Sequence, residues 1–194
     1  MKNLAAVLSV AALAACGGGG GGSAAASHYS TVGSYAITEC VKDNSTGLTW
    51  EGKTADGGLR DFAKKYTNFD STTLAQYGPN GHKPPTQAEI DAASNTIGYK
   101  NAVNATALCG YGDWRLPNNS ELIRLELFGK PFGSASIDSD WFPNTQNFYY
   151  WTSEPSPSSH TAVGHALTFG NNADFLGVSV EFGRDQQAHV RLVR

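Results

Sequence analysis

Cysteine, paired histidine and charge are all scarce in this chain, and each shortage removes a class of function. Only three cysteines occur among 194 residues, at Cys16, Cys40 and Cys109. No histidine cluster stands at ligand spacing near Cys40 or Cys109, so a zinc site is not indicated. The five histidines, His28, His82, His160, His165 and His189, never pair with an acid at helical i, i+4 spacing, so they read as surface or sheet residues rather than metal ligands. No Gly-x-Ser-x-Gly occurs and no nucleophile has a base beside it in sequence, so no catalytic residue is assigned and no enzyme is expected. Charged residues make up 16% of the chain and the formal charge is -3. That balance argues against a dedicated nucleic-acid surface. The apolar run Leu4 to Ala12 is too short to span a bilayer as a mature helix.

What is present begins with an address. Lys2 supplies a minimal positive start, Leu4 to Ala12 an apolar stretch, and Leu13-Ala14-Ala15-Cys16 has small residues before a cysteine. This resembles the lipobox of bacterial lipoproteins, which implies cleavage before Cys16, thioether lipidation of Cys16 and acylation of the new amino terminus. Residues 1–15 are then a signal peptide, and more than one acyl chain gives stable anchoring. With Gly17 next and no Asp, the resemblance favours the outer membrane or cell surface. Removal of Lys2 with the leader takes Lys plus Arg from 14 to 13 against 17 acids, leaving the mature chain near -4. Residues 16–34 read as a Gly/Ala/Ser-rich tether, of which about eleven residues reach roughly 18 Å. The six glycines from Gly17 to Gly22 lack the strand before and the helix after that a phosphate loop requires. In an oxidising compartment, with Cys16 used for lipid, Cys40 and Cys109 remain to form a single disulfide.

The domain is expected over residues 35–194. Tyr35 to Val41 reads as a strand, Asp43-Asn44-Ser45-Thr46-Gly47 as a turn, and Leu48-Thr49-Trp50 as the second strand of a hairpin. Residues 54–80 fit a helical face or a long loop equally well. Thr86 with Glu89, and Asn118 with Glu121, are capping boxes that open helices; Ile97 to Leu108 carries an Ala-rich helical pattern, and the helix from Asn118 is expected to run to Gly129. Trp114 reads as a buried anchor and Arg115 as a partner of Glu121 or Asp113. Phe148 to Ser153, Ala162 to Phe169, Val178 to Phe182 and Ala188 to Val193 read as antiparallel strands. Twenty-two glycines fit turns and short strands better than a helical bundle.

Several stretches together resemble the family named for the C-terminal domain of the Legionella collagen-like adhesin. They are Val41 to Trp50, Leu108 to Pro117 with Glu121-Leu122, Phe142-Pro143-Asn144-Thr145, Tyr150-Trp151-Thr152-Ser153 and Val190-Arg191-Leu192-Val193-Arg194. The resemblance implies an α+β fold of the C-type-lectin-like kind, two helices packed on a twisted antiparallel sheet with long loops, on an exported or surface-attached protein. Arg115-Leu116-Pro117 with Glu121 is also similar to the formylglycine-generating enzymes, but those use a late cysteine pair and no cysteine follows Cys109. The implied function is a lectin-like, adhesin-type domain that binds a glycan; the other reading is a structural envelope component that binds a protein partner, on the host or in the envelope. Affinity would be set by the loops 134–147, 154–161 and 170–187, and the candidate ligand residues are Trp141, Tyr149, Trp151, Glu154, His160, Asp174, Arg184 and Asp185. The aromatic set around Trp141 and Phe148 to Trp151 could stack a sugar, although strand alternation turns about half of it inward. Glu154-Pro155-Ser156 is similar to the Glu-Pro-Asn calcium loop of lectins but lacks its Asn and the downstream Trp-Asn-Asp, so no metal or cofactor is assigned.

Overall fold

Asp43 shows why the chain reverses where it does. Its Oδ1 accepts hydrogen bonds from the Ser45 N–H (2.8 Å) and Oγ (2.6 Å), and its Oδ2 from Thr46 Oγ1 (2.7 Å). A carboxylate that satisfies the turn's own donors is what makes Asp a turn residue, and Gly47 completes the reversal at φ +78°. In this computed structural model, which describes residues 28–73, 83–127, 129–156, 162–170 and 178–194, the turn joins strands β2 (Cys40–Asp43) and β3 (Thr49–Glu51). The other edge of β2 carries β1 (Tyr29–Thr31), so the sheet order is β1-β2-β3, all antiparallel.

Two sequence readings are corrected here. The strand expected from Tyr35 starts only at Cys40, as β2, because residues 32–40 form turns through Tyr35 N–H to Val32 O (3.1 Å) and Glu39 N–H to Ala36 O (2.8 Å). The fold also reaches upstream of the boundary expected at residue 35, into the stretch assigned to the tether. Tyr29 is buried and meets Phe142 edge-on at 5.0 Å; that apolar contact anchors β1.

A second sheet, in the order β4-β5-β6, is built from β4 (Tyr149–Pro155), β5 (Val163–Thr168) and β6 (Ser179–Gly183). It is antiparallel, with a register shift between Trp151 and Pro155. Alternation along these strands divides the core in two. Trp151 and Ala166 pack with Tyr99, Val103, Leu108 and Trp114, while Tyr150 and Leu167 pack with Trp50, Leu122, Phe142 and Phe169. Opposite faces of one sheet therefore each carry a buried cluster.

Two sheets of three strands replace the single sheet expected, and the reason lies in residues 188–194. Their backbone groups are shared among several neighbours instead of forming one ladder. Ala188 exchanges bonds with Tyr66 (2.8 and 3.1 Å), the His189 N–H donates to Tyr149 O (2.9 Å), Val193 exchanges with Arg115 (2.9 Å each way) and Arg194 with Thr49 (2.9 and 3.0 Å). The C-terminal segment is a buried thread that ties both sheets to the turn around Trp114.

The helices are short: α1 (Gln87–Asp91), α2 (Thr96–Ala105) and α3 (Asn119–Ile123), with a 3-10 turn at Leu108–Gly110. Both capping boxes are present, at Thr86 with Glu89 and Asn118 with Glu121. The third helix stops six residues short of Gly129 because cross-chain pairing takes its backbone: the Leu127 N–H donates to Ser136 O (2.9 Å) and Glu126 bridges Ile137. Leu122 and Leu125 are buried as the pattern required, whereas Ile123 and Leu127 stay exposed. Ahead of α3, Asn104 clamps the backbone of Trp114 (2.8 and 3.0 Å) and the indole N–H of Trp114 donates to Leu108 O (3.2 Å). Arg115 pairs with both oxygens of Glu121 (2.8 and 2.7 Å) and Asp113 pairs with Arg194. Cys40 and Cys109 form the disulfide.

Candidate functional site

Glu154 and Arg184, two of the residues singled out in the sequence, meet across a recess of about 140 Å³. The irregular second half of β4 brings in Thr152, Ser153 and Glu154, the start of α2 contributes Thr96 and Ile97, and the loop after Tyr66 supplies Asn68 and Asp70. Arg184 is buried just after β6 and is engaged through Nη1 and Nε. Its Nη1 donates to Asn68 O and Asp70 Oδ2, both at 2.7 Å, and its Nε to Val163 O at 3.2 Å. Burial raises the Asp70 carboxyl, but hydrogen bonds from Thr72 and Thr73 and the Arg184 charge outweigh it and hold the group below its ordinary range. Asp70 is therefore an anion at neutral pH. Glu154 Oε1 accepts from the Asn119 N–H (3.1 Å) and its Oε2 lies 3.5 Å from His165 Nδ1.

Of this lining the sequence marked only Glu154 and Arg184 as ligand residues; Asn68 and Asp70 are among those it did not. Asn68 Oδ1 accepts from Thr96 Oγ1 (2.9 Å), while its Nδ2 donates to no described residue. Nδ2 is not one of the buried side-chain atoms that lack a partner, so solvent reaches it and the donor can exchange water for a guest. Gly164 makes room for it: a Cβ there would stand 2.8 Å from Asn68 Nδ2 and 3.1 Å from the Trp151 ring. A lone Asn in a polar loop carries no sequence signal for this. The wall so formed offers the Glu154 carboxylate, an amide N–H and hydroxyls, which is the chemistry of holding a polar ligand by hydrogen bonds.

The remaining candidates do not join the recess. Trp151 is fully buried and donates its indole N–H to Tyr66 O (2.7 Å); it is core and offers no face to a sugar. Trp141 is half-buried against Tyr29 at 6.2 Å, and Tyr149 is half-buried with its ring 5.2 Å from Phe182. Of the three aromatics expected to stack a sugar, Trp151 is therefore core, while Trp141 and Tyr149 keep part of their surface and lie outside the recess. Asp185 sits in the turn after β6, outside the recess lining. His160 and Asp174, Cys16 with the leader, and the loop segments 157–161 and 171–177 lie outside the described residues. Among the described residues, no group of three or more His, Cys, Asp or Glu has metal-holding geometry, and no helix is long and apolar enough to cross a membrane.

Sequence reasoning also missed a set of buried charges. Glu51 accepts from Lys53 Nζ (2.9 Å) and from the Tyr99 hydroxyl through Oε1, and from the Leu192 N–H (2.9 Å) through Oε2. Arg191 donates to Glu51 O (2.7 Å) and Thr145 Oγ1 (2.8 Å), and Asn144 Nδ2 to Lys53 O (3.0 Å). Burial pushes the Lys53 amine down to about 8 against the opposing pull of Glu51. The available signal was Arg191 alone within the apolar run Val190 to Val193.

Two further groups titrate in opposition. Burial lowers His189 to about 4, despite the hydrogen bond between its Nδ1 and Lys64 O, so its contribution is present above pH 6.5 and lost as pH falls towards 4. Burial raises Glu126 to about 7, with Oε1 unpartnered, so its contribution is present below pH 4.5 and lost as pH rises through 7. The two slopes offset one another between pH 4.5 and 6.5. Glu126→Gln should therefore stabilise the protein at pH 7.5, by about 1–2 kcal/mol after allowance for partial exposure, and change little at pH 4.5. Denaturant midpoints at the two pH values check this; an equal change at both rejects it.

Residues 39–194 match the model of the Lcl C-terminal domain family. No curated protein and no solved structure matches the chain.

Proposed function

Because the chain belongs to the Lcl C-terminal domain family, we propose that it is a surface-attached binding protein whose recess at Glu154 takes one ring of a glycan. The leader and Cys16 support lipid anchoring at the outer membrane or cell surface, with the Gly/Ala/Ser tether holding the domain clear of headgroups. The α+β architecture with long connections around the second sheet supports a C-type-lectin-like relationship. The observation that carries the proposal is the recess itself. Its volume of about 140 Å³ suits a single sugar ring, and Glu154 and the Asn68 amide offer the acceptor and donor that vicinal hydroxyls need, while Asp70 is held by Thr72, Thr73 and Arg184. Recognition then rests on hydrogen bonds at a rigid wall, not on aromatic stacking.

A glycan array tests this on the mature chain carrying Cys16→Ser with the disulfide formed, with and without calcium. A selective subset of glycans should bind, and Glu154→Gln should weaken that binding about tenfold, the loss of one charge-assisted hydrogen bond. The Glu154 side chain is 41% exposed, so the variant should fold normally. Silence on the array, or binding that Glu154→Gln leaves unchanged, overturns the proposal and favours an envelope component that binds a protein partner.

A further inference from the structure

A recess of about 390 Å³ lies beside the disulfide and shares no residue with the Glu154 recess. Leu59, Leu108 and Cys109 give it an apolar floor, and Tyr35, Glu39 and Asp56 stand around it. The two acids are only partly used. Glu39 Oε2 accepts from the Ala36 N–H (3.0 Å), and Asp56 Oδ1 from Thr54 Oγ1 and the Gly58 N–H (2.8 Å each). Each keeps one carboxylate oxygen without a hydrogen bond, and neither has an ion-pair partner among the described residues. Hydrogen bonds from Thr54 and Gly58 hold the Asp56 carboxyl below its ordinary range, so it is charged at neutral pH. Arg60 also lines the recess, but its Nη1 is turned to the carbonyls of Thr38 (2.8 Å) and Gly52 (2.9 Å). Two negative charges against one positive leave the lining net negative.

An apolar floor under acidic groups fits one kind of side chain: an aliphatic stem that lies on the floor and a cationic head that reaches the carboxylates. A lysine or arginine alone would underfill the space, whereas a short segment of chain that carries one matches a pocket of this size. We propose that this groove docks a lysine- or arginine-bearing segment of a protein partner, a second binding site independent of the glycan recess.

The test titrates the mature Cys16→Ser chain at low salt with the peptide acetyl-Gly-Lys-Gly-amide, its norleucine counterpart and butylammonium, followed by amide NMR shifts. The lysine peptide should shift Tyr35, Leu59 and Leu108 and bind about fivefold more tightly than the norleucine peptide, a gain that salt removes. The double variant Glu39→Gln, Asp56→Asn keeps a carbonyl acceptor for each backbone N–H and should melt normally, yet lose the preference. Equal affinity for the two peptides, a preference that survives the double variant, or butylammonium binding as tightly as the lysine peptide would each overturn the proposal. Because the two sites share no residue, failure here leaves the glycan reading untouched, and the reverse holds too.

Discussion

Replacing Glu51 by alanine should cost about 3–5 kcal/mol, a large fraction of the stability of a domain this size. Glu51 is fully buried, and its carboxylate holds Lys53 Nζ, the Tyr99 hydroxyl and the Leu192 N–H together. Arg191, also fully buried, reaches the main chain of the same residue. Without the carboxylate, two cations remain in the interior with no counter-charge, and an uncompensated buried charge is what makes breaking such a pair expensive. Volume loss adds to this but has a different signature. Lys53 already has its amine held at about 8 by burial, with Glu51 pulling the other way; removing Glu51 lowers it further. A lysine depressed in the folded state costs stability at low pH and returns it as pH rises towards the unfolded value near 10.5. Glu51→Ala should therefore begin to regain stability below pH 8, where the native protein is still flat, so the gap between them should narrow up to about pH 8 and stay constant above it, where both folded lysines are neutral and the slopes are equal. Urea midpoints at pH 7, 8.5 and 10 decide the matter. A loss under about 1 kcal/mol at pH 7, or a gap that does not narrow, would show that the buried charges are not coupled as described.

The parts of this fold that were legible in the sequence are the ones decided within a few residues. Thr86 with Glu89 and Asn118 with Glu121 satisfy orphan N–H groups locally, and Asp43 closes its own turn, so neighbours alone determine them. Where distant chain competes for the same backbone groups, the local pattern misleads. Leu127 fits the stripe of α3, yet its N–H is taken by Ser136; Ala188 to Val193 alternates like a strand, yet its bonds go to four different segments. The candidate site divides in the same way. Glu154 and Arg184 could be marked as charges in loops, but their meeting depends on the register shift in β4 and on Asn68, neither of which has a local signature. Trp151 reads as a sugar platform in sequence and becomes core because its indole bonds Tyr66 across 85 residues. The segments that carry the family resemblance are mostly scaffold. Phe142 to Thr145, Trp50 with its neighbour Glu51, and Val190 to Arg194 converge on the buried charges, and Leu108 to Pro117 frames Trp114. Membership of the family therefore speaks to the frame more than to the recess, whose key amide lies outside those segments.

Opening the Cys40–Cys109 bridge should cost about as much as losing Glu51, by a different route. The cysteines are 69 residues apart, and on the chain-entropy model a loop of that length contributes about 4 kcal/mol by restricting the unfolded chain. The bridge ties β2 to the turn after α2, where Ala107 and Cys109 take left-handed backbone at φ 50° and 54°. Such conformations are unfavourable for residues with a Cβ, so the turn needs the surrounding contacts to hold it. The double variant Cys40→Ala, Cys109→Ala isolates the crosslink, because alanine leaves no polar group in the core. Single Cys→Ser changes should cost a further 1–3 kcal/mol where the buried hydroxyl finds no partner. Chemical denaturation should show the double variant about 4 kcal/mol less stable, with a steeper denaturant dependence because its unfolded chain expands further; a loss below about 1 kcal/mol would mean the reduced chain stays compact. The two binding sites should then separate. Cys109 lies in the floor of the acidic groove and not in the wall of the Glu154 recess, so under conditions where the double variant is folded it should lose the lysine-peptide preference before it loses glycan binding.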